Sequence, residues 1–467
     1  MSGESSIDRI HASYVAVEER YIAANPASRI AHETATTSLP GGNTRSILHW
    51  APYPLYITSA DGYTLHDADG HDYVDLLGEF SAGIYGHSHP VIISAITSTL
   101  QRGISYGGPH AAEARLARLV QERFASIEQL RFTNSGTEAT MMAVGAAKAF
   151  TKKPRGKILV FEGAYHGGVF FFPPGCRDAW RQESGDARES GGEHDGLVAL
   201  NAPHNYLVAT YNDVAAVDAL IESAARPGGG NDIAAILLEP MLGSGGGICA
   251  TVEFLAHLRR RATEIGALLI FDEVMTSRMY DGGGIQGEVG VRPDLTTLGK
   301  YIGGGMSFGA FGGRREVMAL FDPREPKSLR HAGTFNNNVL TMNVGAVGLE
   351  KIFTVTKARE LHTLGDEIRD RINGLGSKMK VLGCGSILAF HFTDVELECI
   401  RSPADWKDED PRLLDIFHLE MLNQGFYLAR RGYAALNLML LEENGRKELD
   451  RFVEAVKKFV VDFKDLL

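Results

Sequence analysis

Short, wholly apolar runs that each end in polar residues or glycine constrain this chain more than any other feature. Ile158–Phe161 reads ILVF, Ile233–Leu238 reads IAAILL, and Leu268–Phe271 reads LLIF. A strand that is apolar on both faces must be covered on both faces. That is the situation of a strand inside a parallel sheet with helices on either side. Longer helical stretches alternate with these runs from about Gly78 to Phe335, so the class is α/β, with a mostly parallel sheet flanked by helices. In such a sheet ligands bind beyond the carboxyl ends of the strands. The polar residues there are the ones to inspect.

The flanking segments have a different pattern. Ile7 to Ala24 carries apolar positions at helical spacing and stops before Pro26. LPGGNTRS (Leu39–Ser46) is a turn-rich connection, and Tyr56–Ala60 and Tyr63–Asp67 read as strands around Asp61-Gly62. Beyond Asn338 come helical runs, two strand-like segments, GCGSILAFHF and GFYLARRGYAALNL, and an amphipathic helix from about Asn444. A chain of 467 residues exceeds one small core. The division expected is a large ligand-binding domain over residues 78–335 and a smaller α+β domain built from 1–77 and 336–467. A polar stretch between Gly175 and Tyr206 breaks the alternation and reads as a surface insertion.

Composition narrows the function. A net charge of −11 argues against a nucleic-acid partner, which needs a basic face. Cys176, Cys249, Cys384 and Cys399 are widely spaced, without CxxC pairing, which suits a reducing compartment and a cytoplasmic location. The first residues have neither a basic segment nor an apolar one of the kind a secretory signal carries. No apolar run reaches the roughly 20 residues of a membrane helix, so no membrane association is expected. His87 and His89, in GHSHP, have no carboxylate or thiol cluster around them and read as loop residues, not as a metal site.

Four strand ends remain. Lys300 stands in TTLGKYIGGG, between an apolar run and a glycine triplet. It is not the lysine of a phosphate-binding GxxxxGK[ST] loop, because Asp294 and Tyr301 occupy the wrong positions. NSGTEA puts Ser135, Gly136 and Thr137 between a strand and a helix N-terminus, which makes either an anion cradle or a plain capping turn. Tyr165, in YHGG, is a ring that can cover a flat ligand or simply pack in the core. Asp272 ends LLIF, where a carboxylate is costly unless it meets a donor. Taken together, an anion cradle, a ring, a buried carboxylate and a lysine suit pyridoxal 5′-phosphate. Its phosphate needs the cradle, its ring nitrogen needs an Asp, and its aldehyde needs the lysine amine.

The same residues carry a family resemblance. NSGTEA, YHGG, LLEPM, FDEV, TTLGKYIGGG, FGAFGG and HAGTFNNN occur in the order found in class III aminotransferases of fold type I. The group that contains glutamate-1-semialdehyde aminomutase is the nearest. The resemblance spans almost the whole chain. It implies that Lys300 is the Schiff-base lysine and Asp272 the pyridinium partner. It makes Ser135, Gly136 and Thr137 the phosphate loop, with Tyr165 and Val274 on opposite faces of the ring. Thr334, in HAGTFNNN, is implied to reach the cofactor of the neighbouring subunit, which would make the active form a homodimer with composite sites. Glu239-Pro240 matches the family too, and is read as structural.

RSILHWAPYPL, AGIYGHSHP, FDEVMTSR and RRGYAALNL resemble the β-amino-acid aminotransferases acting on β-phenylalanine-type donors. That resemblance implies a small-molecule amino donor, a keto acid acceptor such as 2-oxoglutarate or pyruvate, and ping-pong turnover. It also implies that Arg45 and Arg431 grip substrate carboxylates, with Arg430 as the alternative to Arg431. Alternatives to this activity are an aminomutase like the glutamate-1-semialdehyde enzyme, or a transaminase of ω-amines. The Gly175–Tyr206 insertion is longer than in these relatives, which leaves substrate size open.

Overall fold

The computed structural model describes residues 6–168, 170–173, 176, 205–406 and 410–467. The Gly175–Tyr206 insertion, apart from Cys176, Asn205 and Tyr206, lies outside the described residues. The chain divides into two compact units, the larger being Val91–Arg359 with Glu398–Asp405. The smaller takes the residues up to Pro90, Glu360–Leu397 and Trp406–Leu467.

The larger unit is built on a seven-stranded sheet. Its strands in chain order are β1 (Gln129–Thr133), β2 (Lys157–Phe161), β3 (Tyr206–Ala209), β4 (Ile233–Leu238), β5 (Leu268–Asp272), β6 (Leu295–Gly299) and β7 (Gly309–Gly313). They lie side by side as β1-β7-β6-β5-β4-β2-β3. The pairs β6–β5, β5–β4, β4–β2 and β2–β3 are parallel, whereas β7 runs antiparallel to both β6 and β1. Every residue of β4, β5 and β6 is buried, as the apolar runs require. Each fully buried Leu or Ile there contributes about 1.5–3 kcal/mol. β7, GAFGG, has to be glycine-rich: a Cβ on Gly309 would fall 2.1 Å from Ser135 O.

Helix Gly136–Phe150 follows β1 directly. Ser135 caps it, its Oγ accepting from Glu138 N at 3.1 Å, and the buried face is made of small residues such as Ala139, Ala143, Ala146 and Ala147.

Helix Val339–Lys351 belongs to the larger unit, so the division falls at 359/360 where the sequence pattern placed it at 335/336. Its polar side chains explain this. Arg115 Nε donates to Glu350 Oε1 at 2.9 Å, and Asn343 Nδ2 donates to Thr99 Oγ1 at 2.6 Å. The other division is at 90/91 where 77/78 was expected, because Ile84 O accepts from Leu438 N at 2.9 Å and Gly62 and His87 exchange backbone hydrogen bonds.

In the smaller unit, strands Ile57–Asp61, Thr64–Asp67 and Asp72–Asp75 form a meander. Phe426–Tyr427 joins it parallel to Asp72–Asp75, so the two ends of the chain share one sheet. The hairpin Met379–Cys384/Ile387–Phe392 pairs with Tyr433–Ala435. The segment GFYLARRGYAALNL, which reads as one strand-like run, is thus split between two sheets. No single described helix is long and apolar enough to cross a membrane. Among the described residues, no group of three or more His, Cys, Asp or Glu side chains could hold a metal ion.

Candidate active site

The loops that leave the carboxyl ends of the parallel strands meet around Asp272, the last residue of β5, which is only 4% exposed. Its Oδ1 accepts from Val274 N at 3.0 Å and its Oδ2 faces His166 Nδ1 at 2.8 Å. His166 is buried, and its Nε2 has no hydrogen-bond partner among the described residues, so the ring proton belongs on Nδ1. The carboxylate is therefore held by two donors and kept from rotating. The YHGG motif points to Tyr165 and not to His166 beside it. The missed signal was a second polar side chain at the same strand end as the ring.

Lys300 follows β6 at once and opens the turn Lys300–Gly303. β6 is in register with β5, Thr297 opposite Asp272, which brings Lys300 to the same end of the sheet. Its φ is +56°, a left-handed conformation that L residues with side chains avoid. Such outliers collect where function fixes the backbone. Val274 fills the space beside it. A Cβ on Gly299 would meet Val274 Cγ1 at 3.1 Å, and a Cβ on Gly136 would meet Val274 Cγ2 at 2.9 Å. One isopropyl group thus touches both the backbone before Lys300 and the N-terminus of helix Gly136–Phe150.

That N-terminus has the features of an anion site. The first N–H groups of a helix have no partner within it, and the helix dipole is positive there. Ser135 Oγ serves the helix cap, while Thr137 Oγ1 accepts from Gly168 N at 3.2 Å. Gly167, at φ +121°, presses so closely on Thr137 that a Cβ would fall 2.3 Å from Oγ1. The YHGG loop is therefore laid directly on the cradle. Tyr165 is 44% exposed, and its backbone N donates to Glu239 Oε1 at 2.9 Å.

Glu239 does more than terminate β4. Its second oxygen accepts from Gly243 N at 3.1 Å, so the carboxylate fastens the loop after β2 to the loop after β4. Burial pushes its pKa up to about 7, with the Asp272 carboxylate adding to the rise and His166 opposing it. Glu273, next to Asp272, is buried as well. It accepts from Ile285 N at 3.1 Å and Gln286 N at 2.9 Å, and burial also raises its pKa.

Ser135, Gly136, Thr137, Tyr165, Asp272, Val274 and Lys300 are thus gathered at one end of one sheet. Thr334 is exposed, in a segment that Asn336 ties to Asn134 through a 2.9 Å hydrogen bond, adjacent to Ser135. Arg45 and Arg431 lie in the smaller unit. Their guanidinium carbons sit 5.2 and 5.7 Å from the centroid of the same ring, that of Phe80. Arg430 is turned to Asp415, with contacts of 2.5 and 2.9 Å, which leaves Arg431 as the arginine on the aromatic platform.

The residues fit pyridoxal phosphate in three respects: a helix N-terminus for the phosphate, an oriented buried carboxylate for the ring nitrogen, and a constrained lysine for the aldehyde. Comparison with known proteins agrees. Residues 48–454 match the family described as aminotransferase class-III. Over 445 residues the chain is 46% identical to the β-phenylalanine transaminase of Variovorax paradoxus, covering 94% of each. A glutamate-1-semialdehyde 2,1-aminomutase of Sorangium cellulosum is 36% identical over 441 residues, covering 93% of this chain and 96% of its own. The crystal structure of the Variovorax paradoxus β-phenylalanine aminotransferase matches this fold with a TM-score of 0.87 at 44% identity, over 98% and 99% of the two chains.

Proposed function

The chain belongs to the class-III aminotransferases, and from that premise we propose that it carries pyridoxal phosphate and transaminates a β-amino acid of the β-phenylalanine type. The acceptor is a keto acid such as 2-oxoglutarate or pyruvate, taken up at the same site after the deaminated donor has left. The likeness to β-phenylalanine transaminase, 46% identity across 94% of both chains, is the observation that carries the choice of donor.

Each residue has a task that follows from its position. Ser135, Gly136 and Thr137 would hold the phosphate at the helix N-terminus. Val274 and Tyr165 would pack against the ring, and Lys300 would supply the amine for the aldehyde. Bound there, the cofactor supplies an electron sink for the carbanion formed at the amine-bearing carbon. Asp272 would hold the proton of the ring nitrogen, and His166 Nδ1–H keeps its carboxylate in place. With the cofactor bound, Lys300 Nζ would be the group that takes a proton from the amine-bearing carbon of the donor and hands it on. Arg45 and Arg431 bind carboxylates, for which the guanidinium fork suits the geometry. We place the enzyme in the cytoplasm as a homodimer in which Thr334 of each subunit completes the other's site.

Titration of the holoenzyme with 3-amino-3-phenylpropanoate, with no keto acid present, tests this reading. Loss of the visible cofactor band, restored by 2-oxoglutarate, is the expected result. A band that ignores this amine but responds to glutamate-1-semialdehyde assigns the aminomutase activity instead.

A further inference from the structure

Four successive residues of the smaller unit are left-handed: Gly78 at φ +52°, Glu79 at +48°, Phe80 at +52° and Ser81 at +75°. Side chains of L residues avoid this region, and a run of three persists only where its surroundings over-determine it. Here they do. Asp75 Oδ1 accepts from Leu77 N and Gly78 N, each at 2.9 Å, and Asp75 Oδ2 meets His87 Nε2 at 2.9 Å. Gly83 N closes the turn on Gly78 O at 2.8 Å. Gly78 allows no side chain, since a Cβ would lie 2.8 Å from Ala435 O.

The turn delivers two neighbouring side chains to one arginine. Glu79 Oε1 accepts a charge-assisted hydrogen bond from Arg45 Nη1. Phe80 sets its ring under the Arg45 guanidinium, with Arg431 5.7 Å from the same centroid. The ring is fixed in turn, buried and stacked on Tyr433 at 5.8 Å and 20° between planes. Burial of Phe80 stabilises the fold, but the ion pair beside it has no such reason. The Arg45–Glu79 pair is 42% and 60% exposed at the two side chains, and such pairs contribute little to stability. A strained turn that serves a weak surface ion pair points to function.

We propose that Glu79 is a specificity-determining residue: its carboxylate takes the Arg45 guanidinium that a donor carboxylate must claim, so donor binding exchanges one carboxylate for another. This rests on the reading that Arg45 binds the donor carboxylate. Phe80 is the positioning residue, holding the guanidinium while its partner changes. An amine without a carboxylate makes no such exchange, so Glu79 sets the affinity for amino acids and leaves that for simple amines unchanged.

The test is the KM and kcat of the holoenzyme for 3-amino-3-phenylpropanoate at saturating 2-oxoglutarate. It compares wild type, Glu79→Gln, Glu79→Gly, Arg45→Ala and the double variant Glu79→Gln/Arg45→Ala. Glycine suits positive φ, so Glu79→Gly is protected against a folding defect. The expected result is a KM lowered about two- to fivefold in both Glu79 variants, as losing an exposed competing ion pair implies, with kcat unchanged. In the Arg45→Ala background, Glu79→Gln should have no effect. If Arg45→Ala raises KM while both Glu79 variants leave it unchanged or raise it, the exchange is wrong and the role of Arg45 stands. If Arg45→Ala leaves KM unchanged, Arg45 does not bind the carboxylate, and the exchange falls with it.

Discussion

Replacing His166 by phenylalanine removes one donor from the Asp272 carboxylate while leaving a ring of similar size in a buried position, beside Phe172 at 6.4 Å. Asp272 is 4% exposed, so no ready supply of water replaces the lost 2.8 Å contact, and the Val274 N–H remains as its other donor. A hydrogen bond to a charged group contributes about 1.5–3 kcal/mol, which corresponds to about ten- to 150-fold in rate. We therefore expect kcat/KM for 3-amino-3-phenylpropanoate to fall by one to two orders of magnitude in His166→Phe, with most of the loss in kcat. The assay is steady-state kinetics at saturating cofactor, with the visible band confirming that cofactor is retained. His166→Asn, whose side-chain amide keeps a donor near the Nδ1 position, should recover most of the activity. Activity within about twofold of wild type in His166→Phe, or equal impairment in both variants, would refute the reasoning from the hydrogen bond.

Other expectations follow from the same geometry. Lys300→Ala should lower turnover by at least the about 10²–10⁴-fold carried by a positioned proton-transfer group, while the protein still retains some cofactor on purification. Gly167→Ala puts a Cβ 2.3 Å from Thr137 Oγ1 at φ +121°, so it should lower Tm and weaken cofactor retention together, read by thermal melts and cofactor content. Burial lifts Glu239 from its usual 4.5 to about 7, so the folded protein holds this proton more tightly than the unfolded chain does. The stabilisation is fully present below the unfolded pKa and is lost as pH rises through about 7. Denaturant unfolding should show wild type losing up to about 3 kcal/mol between about pH 5 and about pH 8 that Glu239→Gln does not lose. Equal pH slopes in the two proteins would remove Glu239 from the explanation.

Much of the site is written in local sequence. The apolar runs of β2, β4 and β5 force burial on both faces, and their ends therefore fall where Tyr165, Glu239 and Asp272 stand. Ser135 announces its helix by the capping pattern, and Lys300 stands out because little else explains a lysine at that strand end. What was not legible depends on contacts between distant residues. His166 and Asp272 are separated by 106 residues, and β4 lies between their two strands, so only the assembled sheet shows their hydrogen bond. The left-handed run at Glu79, Phe80 and Ser81 is a local exception: none of the three is a glycine, and Asp75 just before them holds the turn through Leu77 N and Gly78 N. Arg430 and Arg431 are chemically identical neighbours, and the partner Asp415 distinguishes them. The reason for the glycines of β7 is likewise out of sight in the sequence, since it is the Ser135 carbonyl passing alongside.

The central claim is that the strand-end cluster of the larger unit binds pyridoxal phosphate through Lys300. Borohydride reduction of the holoenzyme, followed by proteolysis and mass spectrometry of the peptides, tests it most directly. The expected result is a phosphopyridoxyl group on the Nζ of Lys300 and on no other lysine. A reduced adduct on a different lysine, or a purified protein that takes up no cofactor at all, would contradict it.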